Sequence, residues 1–71
     1  MQEEYYTISI NGEPFNCYKY MSLKDILLYL DINFQEVIVE YNSLILNSSQ
    51  FEQIIVQAND QVEIITIVGG G

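Results

Sequence analysis

Asn59-Asp60-Gln61-Val62-Glu63-Ile64-Ile65-Thr66-Ile67-Val68-Gly69-Gly70-Gly71 are the last thirteen residues of the chain, and their reading decides its architecture. Asn59-Asp60 is a turn signal. Val62 to Val68 is then the most hydrophobic strand in the chain, rich in β-branched residues. Successive side chains of a strand point to opposite faces, so Val62, Ile64 and Thr66 share one face and Glu63, Ile65 and Ile67 the other. Glu63 marks the solvent side, because Glu is seldom buried without a partner. Ile65 and Ile67 share that side. Either they form an exposed apolar contact surface, or the strand is central, covered on both faces, and they are core.

Working outward, Tyr5 to Ile10 alternates as a half-buried strand, with Tyr6, Ile8 and Ile10 on one face and Tyr5, Thr7 and Ser9 on the other. Asn11-Gly12 follows, a strong hairpin signal because both central residues of a type I′ turn need φ > 0. Phe15 to Lys19 is the expected return strand, and Pro14 suits its start. Ser22 reads as a helix N-cap with Asp25 three residues on. Leu23, Ile26, Leu27 and Leu30 form one apolar stripe on a helix from about Leu23 to Asp31, leaving Leu28 and Tyr29 outside it. Val37 to Tyr41 is strand-like, Asn42-Ser43 turns the chain, and Leu44 to Leu46 is a short partner strand. Asn47 to Gln50 reads as loop, and Phe51 to Val56 as a short helical turn with an extended exit. One helix packed across a mixed sheet is an α+β arrangement. The last strand suits a central position, parallel to the first.

With 71 residues and 49 % apolar composition, the chain fits one domain with a single core. Ten Asp and Glu face two Lys and Arg with no His, a net charge of −8. Nucleic-acid binding needs clustered cations and is excluded; docking on anionic membranes is disfavoured. A partner with a basic surface is the natural counterpart. No apolar run approaches a membrane span of about 18 residues, and the acidic start Met1-Gln2-Glu3-Glu4 is unlike a signal or transit peptide. A soluble, cytoplasmic protein is expected, or one of the plastid stroma if the gene is plastid-encoded.

Catalytic candidates are few. Without His the usual general base near neutral pH is missing. Cys17 has only Lys19 as a nearby cation and reads as a small core residue. Glu40 or Glu63 could join a carboxylate pair, but nothing suggests a buried one. One Cys and no Cys/His cluster leave no metal site.

The tail Gly69-Gly70-Gly71 has two accounts: a frayed or vector-derived end, or a working arm. Cloning remnants bring Ser or tag residues, and none are here. Glycine has no Cβ, so such an arm is thin and conformationally free. Three extended residues reach about 10 Å beyond Val68. The arm can thread a narrow channel and deliver its terminal carboxylate into another protein's active site. Joined to AMP, that carboxylate becomes an acyl donor that a sulfur nucleophile can attack.

Three stretches carry a resemblance. Ile10-Asn11-Gly12-Glu13, Ser22-Leu23-Lys24-Asp25-Ile26-Leu27 and Asn59 to Gly71 are similar to the opening NGE turn, the T-V-x-D-L-L helix start and the G-D-x-V-E-I-V-x-x-V-G-G-G ending of the ThiS family, the sulfur carriers of thiamine biosynthesis. The resemblance implies a ubiquitin-like β-grasp fold: a mixed sheet of four to five strands with one helix across it. It implies a body over residues 1–68 and a flexible tail over 69–71. The Gly71 carboxylate would be adenylated by an E1-like enzyme of the ThiF type, converted to a thiocarboxylate, and would give its sulfur to thiazole synthase of the ThiG type. Gly69 and Gly70 would insert into the partner's active site, and Glu63, Ile65 and Ile67 would face the partner. The chain would be a protein co-substrate, not an enzyme, with no cofactor or metal of its own. Asn59 stands where the family has Gly, and Asn tolerates left-handed φ. Ser48-Ser49 and Phe51 replace a basic residue and a Trp-like aromatic. The alternatives are a molybdopterin carrier of the MoaD type, a ubiquitin-like protein modifier, and an interaction module whose tail is idle.

Overall fold

Asn11 and Gly12 both take positive φ, 52° and 82°, which is the hairpin turn that Asn-Gly favours. The turn joins β1 (Tyr5–Ile10) to β2 (Glu13–Tyr18), antiparallel, in the computed structural model, which describes residues 5–67. Of β1, Ile8 is buried and Tyr5 and Thr7 are exposed, as the alternation requires. The return strand begins at Glu13, two residues before the expected Phe15, because the two-residue turn lets Ile10 pair directly with Glu13. Pro14 sits opposite Ser9 in this strand, which is a sheet edge where a missing N–H costs no ladder bond.

The helix α1 (Leu23–Tyr29) starts on a complete capping box. Ser22 Oγ accepts from the Asp25 N–H at 3.0 Å, and the Ser22 N–H donates to Asp25 Oδ2 at 3.0 Å. It ends two residues short of the expected Asp31. Asp31 adopts φ 60°, the Asp31 N–H donates to the Leu28 carbonyl, and the Ile32 N–H donates to the Leu27 carbonyl. That pair of bonds is a Schellman stop with Asp in the place usually held by Gly. Leu23, Ile26 and Leu27 are fully buried, each worth about 1.5–3 kcal/mol of transfer free energy. Leu28 and Tyr29 face solvent.

A second hairpin joins β3 (Val37–Tyr41) to β4 (Leu44–Leu46) through Asn42 and Ser43, again with positive φ at both. Ser48–Gln50 forms a 3-10 turn, so the helical turn expected over Phe51 to Val56 begins earlier. The Asn47 N–H donates to Gln50 Oε1 at 2.8 Å and starts it there. Phe51 is buried against Phe34, ring edge to ring face at 5.7 Å. Ile55 makes a single bridge to Ser22.

The last strand, β5 (Gln61–Thr66), lies in the middle of the five-stranded sheet, whose order is β2-β1-β5-β3-β4. It runs parallel to β1, as expected for the last strand, and antiparallel to β3. Ile8, Cys17, Val39 and Val62 from the sheet meet Leu23, Ile26 and Leu27 from α1, with Phe51 and Val56 closing the core. No helix of the described residues is long and apolar enough to cross a membrane.

Candidate functional site

The start of β5 is fixed by a buried carboxylate. Asp60 Oδ2 accepts from the Tyr41 hydroxyl in a short hydrogen bond and from the Gln57 N–H at 2.7 Å, while Oδ1 accepts from Asn42 Nδ2 at 3.1 Å. Asn59 supplies the preceding left-handed turn at φ 70°. Burial and the Asp60 carboxylate push the Tyr41 hydroxyl up to about 12, so it stays protonated and donating. A buried carboxylate was not expected from the sequence. Its partners lie three, 18 and 19 residues away, and only a strand start preceded by Asn in a tight turn hinted at it.

The far end of β5 is held by different groups. Asn11 Nδ2 donates to the Ile64 carbonyl at 3.2 Å, and the Ile64 N–H donates to Asn11 Oδ1 at 2.7 Å. On the β3 side the Ile67 N–H donates to the Glu36 carbonyl at 2.7 Å. Gly69, Gly70 and Gly71, the expected tail, lie outside the described residues.

The face of the sheet away from α1 carries the apolar residues singled out from the sequence. Ile65 is 53 % exposed and Ile67 is 47 % exposed, while Val62 on the opposite face is fully buried. The two-face question is thereby decided: Ile65 and Ile67 are surface. The register adds neighbours that sequence reading did not join to them. Ile38 stands opposite Ile65, Glu40 opposite Glu63, and Ile45 of β4 opposite Glu40. Glu40 and Glu63 are thus a carboxylate pair, but a cross-strand surface pair rather than a buried one. Two like charges face to face cost about 0.2–1 kcal/mol, which a cation brought by a partner would offset.

The remaining nucleophile is inert. Cys17 is 2 % exposed, its thiol points at the Tyr6 carbonyl, and burial raises its pKa. Among the described residues no group of His, Cys, Asp or Glu is arranged to hold a metal ion. An open groove of about 440 Å³ beside the β5 end is lined by Asn11, Asp31, Asn33 and Glu36 among others, with no Lys or Arg. Its charged lining residues, Asp31 and Glu36, are both acidic and would repel the phosphates of a nucleotide.

Residues 8–71 match the model of the ThiS family. The chain belongs to the ThiS family. Within it, the two-hairpin sheet with α1 is the ubiquitin-like β-grasp fold. A crystal structure of the thiamine biosynthesis protein ThiS from Geobacter metallireducens superposes with a TM-score of 0.78 at 26 % identity, over 92 % of this chain and 99 % of that one. This ThiS-family chain is also 49 % identical over 65 residues to the uncharacterized protein ycf40 of Porphyra purpurea and to that of Pyropia yezoensis, covering 92 % of each chain. It is 31 % identical over 64 residues to a thiazole synthase from Magnetococcus marinus, where the match takes 90 % of this chain but 20 % of that protein.

Proposed function

We propose that this chain is the sulfur carrier of thiazole formation in thiamine biosynthesis, and that its working atoms are those of the Gly71 carboxylate. The carrying observation is the ThiS-family match, which runs through Gly71 and so includes the three glycines after the central strand. Residues 1–68 form the body and residues 69–71 the arm. Glycines in the arm leave no side chain to clash in a channel. Cys17 is buried and its thiol is held protonated, which supports the terminus rather than the thiol as the site of transfer.

The chemistry has three steps. A carboxylate oxygen of Gly71 attacks the α-phosphorus of ATP; the acyl-adenylate forms and pyrophosphate leaves. A sulfur nucleophile adds to the acyl carbon and AMP leaves. With a persulfide as that nucleophile the product is an acyl disulfide; a thiol reductant attacks its donor-side sulfur, the S–S bond breaks with both electrons going to the acyl sulfur, and the C-terminal thiocarboxylate leaves as the thiol and donor form a disulfide. The thiocarboxylate sulfur then passes to thiazole synthase. ATP is a substrate of the activating enzyme, and the acidic groove beside β5 supports that division of labour. This chain acts as co-substrate and does not catalyse the transfer itself.

Two partners follow: an E1-like adenylating enzyme of the ThiF type and a thiazole synthase of the ThiG type. The presence of a similar segment as a fifth of a thiazole synthase supports a working contact with the second. Glu63, Ile65 and Ile67 form the docking face, with Ile38 and Glu40 beside them. Its apolar centre and acidic flank, on a chain of net charge −8, suit a partner surface that is apolar within and basic at the rim. The compartment is the cytoplasm, or the plastid stroma for a plastid-encoded chain; the ycf40 name of its relatives supports the stroma.

Intact-mass measurement tests this directly. After incubation with ATP, the activating enzyme, a persulfide sulfur donor and a thiol reductant, the chain gains the mass of one sulfur in place of one oxygen, and fragmentation places it on Gly71. Sulfur found on Cys17, or a chain lacking Gly70 and Gly71 that still supports thiazole formation, overturns the proposal.

A further inference from the structure

We infer that Asn11 is a positioning residue for the carrier reaction: its carboxamide replaces the missing rung of β1 beside Ile64 and so holds firm the end of the strand on which the tail is carried. This rests on the proposed role of the Gly71 carboxylate.

The ladder between β1 and β5 is short, pairing Ser9 with Gln61 and Ile10 with Val62. Along that side of β5, alternate carbonyls point at β1. The Asp60 carbonyl accepts from the Ser9 N–H at 2.9 Å, and the Val62 carbonyl accepts from the Asn11 N–H at 2.8 Å. The next carbonyl in the series is that of Ile64, but the backbone of β1 has already turned away at Asn11-Gly12. Asn11 Nδ2 supplies the donor, and Asn11 Oδ1 accepts the Ile64 N–H. The side chain thus acts as one further peptide of β1.

The turn does not by itself require this residue. Asn11 sits at φ 52°, which Gly and Asp also satisfy. Gly offers no side-chain group, and an ionised Asp offers only acceptors. Asn carries a donor and an acceptor together, and both are used. On the opposite side the Ile67 N–H is held by the Glu36 carbonyl. β5 is therefore gripped from β1's side at Ile64, and the residue just past its end, Ile67, is gripped from the side of β3, four residues before Gly71. Rate depends steeply on where a reacting atom is aimed, so loosening the strand end lowers turnover without touching the docking face.

The test compares the full chain with Asn11→Gly and Asn11→Asp. Amide hydrogen exchange is read at Ile64 against Val39 in the core, and adenylation is followed as pyrophosphate release by the activating enzyme. In Asn11→Gly, exchange at Ile64 relative to Val39 rises about ten-fold. Its kcat falls about ten-fold, while KM stays within about two-fold. Asn11→Asp, which keeps the acceptor for the Ile64 N–H, lies between Asn11→Gly and the unaltered chain. Wild-type exchange and kcat in Asn11→Gly overturn the inference, as does a loss confined to KM. If Asn11→Gly melts below the assay temperature, the intermediate behaviour of Asn11→Asp is the deciding result, and wild-type kcat there overturns the inference. An unaltered chain that releases no pyrophosphate overturns the proposed function itself, a result separate from an active chain indifferent to Asn11.

Discussion

Replacing Ile65 by Asp separates docking from folding. Ile65 is 53 % exposed, so about half of its side chain rests on neighbours. Burying a whole Ile is worth about 1.5–3 kcal/mol, so losing half of that costs about 1 kcal/mol. The new carboxylate stands two residues from Glu63 and opposite Ile38, adding a few tenths of a kcal/mol, on the order of a weak cross-strand repulsion. A domain of this length has about 4–10 kcal/mol in hand, so Ile65→Asp stays folded. Binding responds differently. An apolar anchor at the centre of an interface is worth about 2 kcal/mol or more, about thirty-fold in Kd. The assay is paired: a thermal melt by circular dichroism, and titration against the activating enzyme by calorimetry. Val62→Asp, in the same strand but fully buried, is the control, and it unfolds because a lone charge in the core costs several kcal/mol, roughly the whole margin. An Ile65→Asp chain that melts like Val62→Asp places Ile65 in the core. A folded one with unchanged Kd removes the outer face from the docking surface.

Asp60→Ala strands the Tyr41 hydroxyl and the Gln57 N–H and costs about 3 kcal/mol, read as a shift in urea midpoint; a loss under about 1 kcal/mol contradicts the network. The Tyr41 hydroxyl titrates near 12 in the folded chain, above its ordinary 10, so the folded state holds the proton longer than the unfolded state does. That contribution is complete below pH 10 and is lost as pH rises through 12, about 1–2 kcal/mol after allowing for partial exposure. Tyr41→Phe removes this part of the alkaline slope, as urea titrations across that window measure. Burial and a raised pKa make Cys17 slow to alkylate in the folded chain and fast in denaturant, and mass spectrometry of iodoacetamide-treated samples tests it. Deleting Gly70 and Gly71 leaves the melt unchanged and abolishes pyrophosphate release.

What was legible in the sequence was local. Asn11-Gly12 needs two positive φ values and has residues that accept them. Ser22 and Asp25 are three residues apart and cap each other. The alternation put Ile65 and Ile67 on the face of Glu63 but left two outcomes, exposed or covered, and their exposure in the fold decides for the first. What stayed hidden depended on distant partners. The Asn11 to Ile64 bonds span 53 residues, and the Tyr41 to Asp60 bond spans 19. The helix end was misjudged because Asp31 is a permitted but uncommon Schellman residue, and the apolar stripe through Leu30 continued past the true stop. The tail was legible only as composition and as a resemblance, and the described residues end before it.

The position of β5 creates a hazard that the same residues manage. β3 pairs with β5 from Val62 through Thr66, whereas β1 pairs only with Gln61 and Val62. Among the described residues, the carboxyl half of a central, strongly apolar strand therefore has one backbone edge with no paired strand, beside an exposed Ile65 and Ile67. Such an edge is a template for a second copy of the chain. Asn11 occupies the first free donor and acceptor on it. The Glu40 and Glu63 pair puts two negative charges on the adjoining face, where a second copy would bring two more. That repulsion is unfavourable between like chains and favourable toward a cationic surface. On the proposed docking face, a single arrangement would both discourage self-pairing and favour a cationic partner, an advantage that an opposite-charge pair, though more stabilising within the sheet, would not give.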